Sequence, residues 1–172
     1  EGSTECTQQE VRIPAHKCIL SARSPVFRTM FASGMAEART NEVRIQDFDA
    51  AVVKEFLRFL YTDQCEVAAL QEHAEPLLGI ACKYQVSGLQ TLCENHLCTT
   101  LSTETVGNIL YLSDLYDATQ LQNRALQYIA EHTKQVVTAG SIKQTYSPEL
   151  TQKIFSALAG VTVSDDPTVR EG

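Results

Sequence analysis

The four histidines and six cysteines of this chain are the residues whose types could do nucleophilic or metal chemistry. Cys93, His96 and Cys98 stand close together in the manner of zinc ligands, but positions i, i+3 and i+5 of a helix do not converge on one tetrahedron, and no fourth ligand is evident. Cys82 with His96 is the pair a thiol hydrolase would need, yet Cys82 falls on an apolar helical face that should be inside. His16 stands at a helix start, His73 and His132 lie in polar surroundings, and GxGxxG, GxxxxGK[ST], GxSxG and HExxH are all absent. No catalytic residue, metal or cofactor is therefore expected, and no enzyme. A different chemistry, that of contact, is offered by Met35-Ala36-Glu37: an unbranched thioether fills an irregular groove and a carboxylate accepts hydrogen bonds from a partner. Met35 has a second reading, as the apolar contact closing a Schellman turn around Gly34.

The elements that position this triplet begin with a strand. Glu10 to Ile13 alternate polar and apolar, and Pro14, lacking an N–H, ends the pattern. A short helix follows from His16 through Ile19 and Leu20. Ser24-Pro25 then supplies a stop and a restart, because the residue before proline avoids the helical region, while Ser at N-cap and Pro at N1 open a new helix. In that second helix Val26, Phe27, Met30 and Phe31 form an apolar stripe, and Gly34 is placed to end it, leaving Met35 just outside.

The rest reads as mostly helical. Val43-Arg44-Ile45 is expected as a second strand and Cys65-Glu66-Val67 as a short edge strand. Val53, Phe56, Leu57 and Leu60 predict an amphipathic helix over 50–62. Residues 70–84 hold another, which Pro76 must start or kink near His73 to Glu75. Beyond the break at Ser87-Gly88, Leu89, Leu92, Cys93, His96 and Leu97 share a helical face. The polar stretch from Cys98 to Ser102 marks a boundary, with Ser102 able to cap a new helix. Residues 103–116 and 118–132 then form an antiparallel pair, the second opened by an Asp117/Gln120 capping box, with Val106, Ile109 and Leu110 on one and Leu121, Ala125, Tyr128 and Ile129 on the other seeking burial. A third helix starts at Ser147-Pro148 and carries Leu150, Ile154, Phe155 and Leu158; the tail from Gly160 has no core-forming pattern.

Composition sets independent limits. A hydrophobic content of 44% over 172 residues suits one sizeable core or two small ones. With 14 basic against 21 acidic residues and a net charge of −7, direct nucleic-acid binding has no support, because an acidic domain repels phosphate. No apolar run approaches the roughly 18 residues needed to span a bilayer. The cysteines show no CxxC pairing, as expected of reduced thiols in the nucleus or cytoplasm.

Taken together, AHKCILSARSPVFRTMF at 15–31, VVKEFLRFLYTD at 52–63, LLGIACKYQVSGLQTLCENHL at 77–97 and LSTETVGNILYLSDLYDATQLQNRALQYIAEH at 101–132 resemble the BTB/POZ family. They are most similar to its speckle-type POZ (MATH-BTB) group, with the last segment resembling a BACK region. The resemblance implies an α+β, helix-rich fold with a small sheet: an N-terminally shortened BTB/POZ domain over 1–99, an all-α BACK-like region over 100–159 and a flexible tail over 160–172. It implies a non-enzymatic adaptor of a cullin-3 RING E3 ubiquitin ligase, contacting the cullin-3 N-terminal domain through Met35 and Glu37, with Tyr61 and Tyr84 as further contacts or ordinary core tyrosines. It also implies a homodimer with Ile19 and Leu20 near the two-fold axis, although EGSTECTQQE is too short and polar to supply the helix and strand that precede this point in the family. A substrate would be carried by a domain outside this chain. The alternative within the family is a homodimerisation module of a transcriptional regulator that recruits corepressor.

Overall fold

Helices follow from the apolar periodicity almost everywhere it was read, in a computed structural model that describes residues 11–32, 36–142 and 147–159. The chain divides into two compact units, Glu1–Leu89 and Gln90–Gly172.

In the first unit, α1 (Lys17–Arg23) and α2 (Pro25–Ala32) are separated by the single extended residue Ser24 (φ −135°, ψ 122°). Its hydroxyl accepts from the Phe27 N–H at 3.2 Å, so the Ser-Pro pair opens α2 as an N-cap and N1 should. The same hydroxyl, fully buried, donates to the Tyr84 carbonyl at 2.6 Å. After α3 (Ala36–Thr40) comes α4 (Ala50–Thr62), whose buried face is Val52, Val53, Phe56, Phe59 and Leu60, with Leu57 only half-buried. α5 (Val67–Lys83) is broken at His73 (φ −129°, ψ 20°). Pro76 explains the break, since it lacks the N–H that would reach the Glu72 carbonyl, and the chain yields one residue beyond that carbonyl. Phe27, Phe56 and Tyr84 meet in the middle of the unit, with Tyr84 stacked on Phe27 at 4.5 Å and tilted to Phe56 at 5.4 Å.

α5 ends by wrapping up. Gln85 takes the left-handed conformation (φ 54°) and the Val86 N–H reaches back to the Ala81 carbonyl at 2.8 Å, a Schellman turn closed by buried Val86. α6 (Ser87–Thr99) starts at once. Gly88 lets it do so beside Phe59: a β-carbon there would lie 3.3 Å from the Phe59 ring. Leu89, Cys93 and Leu97 of α6 are buried, Leu92 and His96 half-buried.

In the second unit, Ser102 caps the turn leading into α7 (Val106–Leu115) by accepting from the Thr105 N–H at 3.2 Å, while Thr105 accepts from the Ser102 N–H at 2.9 Å. α7 packs along α8 (Thr119–Glu131), burying Val106, Ile109 and Leu110 with Leu121, Ala125 and Ile129. Tyr128 stays half-buried, stacked on His132 at 4.3 Å. A further helix, α9 (Thr133–Ala139), follows, and α10 (Pro148–Leu158) begins at Ser147, whose hydroxyl accepts from the Leu150 N–H at 3.2 Å.

Three expectations are corrected. Among the described residues no strand forms. Near these segments Arg12 pairs with Glu42 at 3.6 Å, but Val11 is 53% exposed and Ile13, Val43 and Ile45 are no more than half-buried, so no fully buried side locks the alternation into a ladder. Val67, expected in an edge strand, is instead the first residue of α5. The Asp117/Gln120 capping box is not made, because Asp117 is spent on ending α7: it is left-handed (φ 53°), and the Ala118 N–H bonds to the Ser113 carbonyl at 2.8 Å. Phe155, expected inside, is 67% exposed. Leu150 and Ile154 are the buried members of its stripe, and the residue after Ile154 is turned about 100° around the axis away from them. No helix among the described residues is long and apolar enough to cross a membrane.

Candidate protein-interaction face

Glu37 lies in the first turn of α3, where the helix dipole favours a carboxylate, and it is half-buried. Met35 and Gly34 lie outside the described residues, as does the proposed turn around them. A five-residue helix cannot hold itself in water. α3 is held from α1: the Lys17 ammonium donates to the Ala38 carbonyl at 3.3 Å and sits 5.0 Å over the ring of Phe31.

Tyr61 projects from the last turn of α4 and is 42% exposed. Its hydroxyl accepts from the His16 N–H at 2.8 Å and lies 2.8 Å from His16 Nδ1, with the two rings edge to face at 5.9 Å. Consecutive residues, His16 and Lys17, thus fasten Tyr61 and the helix that carries Glu37. His16 was read as a residue that merely opens a helix, and it makes no side-chain cap there. Forty-five residues separate it from Tyr61, so no spacing in the sequence could have paired them.

Tyr84 is not on this face. It is 2% exposed, and burial, with the Asp47 carboxylate second, pushes its phenol above the ordinary range. Of its two readings the core one describes its position: a side chain so enclosed has no area to give a partner without rearrangement. Leu20 is likewise buried inside the unit at 7%, whereas Ile19 is half-exposed. Ion pairs rim the unit, Arg23 with Asp63 and Lys83 with Asp47.

The cysteines bring no cluster: among the described residues no three His, Cys, Asp or Glu side chains are grouped to hold a metal ion. Cys65 faces Glu55, and burial, together with a hydrogen bond to that carboxylate, pushes its thiol up to about 12. Glu55 also accepts from the Glu66 N–H at 2.9 Å, which fastens the loop between α4 and α5.

A sequence model of the BTB/POZ domain matches residues 5–101, more than half of the chain. The chain belongs to the BTB/POZ family. It is 40% identical over 149 residues to TD and POZ domain-containing protein 2 of Mus musculus, covering 86% of this chain and 41% of that protein. To TD and POZ domain-containing protein 3 of the same organism it is 39% identical over 152 residues, covering 87% of this chain and 42% of that protein. The chain thus spans about two fifths of the length of these curated relatives, which bear the TD and POZ name rather than the speckle-type one. BTB domains generally mediate self-association and contacts with protein partners, and this BTB/POZ chain is a protein-interaction module.

Proposed function

We propose that this BTB/POZ chain is the cullin-binding and self-associating part of a non-enzymatic substrate adaptor for a cullin-3 RING ubiquitin ligase, working in the nucleus or cytoplasm. The observation that supports it most is the fastening of Tyr61 and of the helix bearing Glu37 to two adjacent residues, His16 and Lys17. This holds an exposed aromatic and a carboxylate on rigid supports, as a hot spot requires. In this reading Met35 joins them, Tyr84 supports the face from within, and the helices after residue 100 act as a BACK region that assists the cullin contact. The chain makes no bond; it bridges, and a dimer adds avidity. The substrate is carried by a part of the protein outside this chain.

Binding of the purified chain to the cullin-3 N-terminal domain, followed by calorimetry, tests the proposal. Met35→Ala, Tyr61→Ala and Glu37→Lys should each weaken it by about tenfold or more, the size of a hot-spot loss. A wild-type chain that shows no binding overturns the reading.

A further inference from the structure

The His16 side chain has no role in the core, in an ion pair or in a helix cap, yet it is one of the more committed polar groups on the surface. A backbone N–H can only donate, so the Tyr61 hydroxyl must accept from the His16 main chain at 2.8 Å. It also lies 2.8 Å from Nδ1 and donates its own proton there in the tautomer that keeps its hydrogen on Nε2. An exposed tyrosine with a free hydroxyl turns about its side-chain bonds on a fast timescale and must be ordered when a partner binds. Tyr61 is 42% exposed but is pinned at its tip by two bonds from one residue and at its edge by the imidazole ring. Lys17, the next residue, does the matching work for α3: its amine is held over Phe31 of α2 and donates to Ala38, the residue after Glu37.

We propose that His16-Lys17 is a positioning pair that sets Tyr61 and Glu37 for a protein partner before it arrives, without itself supplying the principal contact. The inference rests on the reading of Tyr61 and Glu37 as contacts and deepens it. Arg23, in the last turn of α1, and Asp63, at the end of α4, are committed to each other. They leave the hydroxyl to His16. Asparagine can present an acceptor near the place of Nδ1, and alanine cannot, which separates positioning from bulk.

The test is a double-mutant cycle on binding to the cullin-3 N-terminal domain, with thermal melts as a control for folding. His16→Ala should weaken binding by about three- to tenfold, the cost of ordering one side chain, and His16→Asn should restore it to within about twofold. In a Tyr61→Phe background His16→Ala should have no further effect. Equal losses in both backgrounds, or failure of asparagine to rescue, overturn the role of His16. Lys17→Met keeps the length of the side chain but removes the donor, and should weaken binding while leaving the His16–Tyr61 pair intact; unchanged binding overturns the role of Lys17. A second readout needs no partner: long-range nitrogen NMR of the His16 ring should show hydrogen on Nε2 and an accepting Nδ1, and Tyr61→Phe should change that signature. If the signature changes as stated but the wild type does not bind the cullin, the adaptor reading fails while the pinning of Tyr61 stands; if it does not change, the pinning itself is refuted.

Discussion

Cys65 shows how one carboxylate changes the behaviour of a neighbouring group. Half-burial disfavours its thiolate, and Glu55 adds to this by accepting the thiol proton and repelling the charge that its loss would leave. The folded chain keeps that proton to about pH 12, whereas the ordinary value is 9.0. Unfolded protein therefore binds fewer protons above pH 9, so the contribution to stability is complete below that pH and declines as pH rises from 9 toward 12. At pH 8 the same shift leaves on the order of a hundred- to a thousandfold less thiolate than in an unfolded thiol. Alkylation of Cys65, followed by mass spectrometry of its peptide, should be slower by about that factor in the native chain than in urea, and Glu55→Gln should speed it markedly. A native rate equal to the unfolded one would show that Glu55 does not hold the thiol.

Helix ends are where this chain departs most from local expectation. Residues Gln85 and Asp117 both occupy the left-handed region, and both are followed by a buried residue whose N–H reaches back five positions. A side chain in that conformation costs about 1–2 kcal/mol, part of which glycine returns as extra freedom in the unfolded chain. Gln85→Gly should therefore raise stability by about 0.5–1 kcal/mol in urea melts, and Asp117→Gly by less, because aspartate tolerates the conformation better. A loss of stability in both would mean that their side chains make contacts that outweigh the strain. The contrast between these ends and the rest explains what could be read in advance. The Ser24-Pro25 break, the Pro76 kink, the span of α4 and the Ser147 cap depend on residues within a turn of each other and were all legible. Asp117 was assigned to the wrong helix because the same residue type serves at an N-cap and in a left-handed turn, and nothing local ranks the two. The strands depended on partners far along the chain, and so did the pairing of His16 with Tyr61.

At the scale of the molecule, burial distinguishes Leu20 from Ile19, the two residues that the family resemblance assigns to self-association. Leu20 is already enclosed within its own unit, so its replacement should act on folding: Leu20→Ala should cost about 2–4 kcal/mol. Ile19, half-exposed, has surface left for a second copy. Sedimentation of the purified chain should show a dimer, and Ile19→Lys should convert it to a monomer with a near-normal circular dichroism spectrum. A dimer unaffected by Ile19→Lys would place the two-fold contact elsewhere. The family was legible from motifs spread over the chain, and the assignment of Met35, Glu37 and Tyr61 as contacts rests on that resemblance. That Tyr84 is enclosed, and that two neighbouring residues fasten Tyr61 and α3, were not legible, since both are properties of packing between segments brought together only by the fold.

Ser24 ties a local event to a distant one. The turn between α1 and α2 involves neighbours and can form early, but its hydroxyl finds the Tyr84 carbonyl only when a segment 60 residues downstream has arrived. Until then the hydroxyl proton has only water to bond, and the aromatic stack of Phe27 on Tyr84 is open. The α1–α2 hairpin therefore completes its hydrogen bonding and its aromatic packing only with the segment around Tyr84 in place, so the start and the end of the first unit depend on each other for their order.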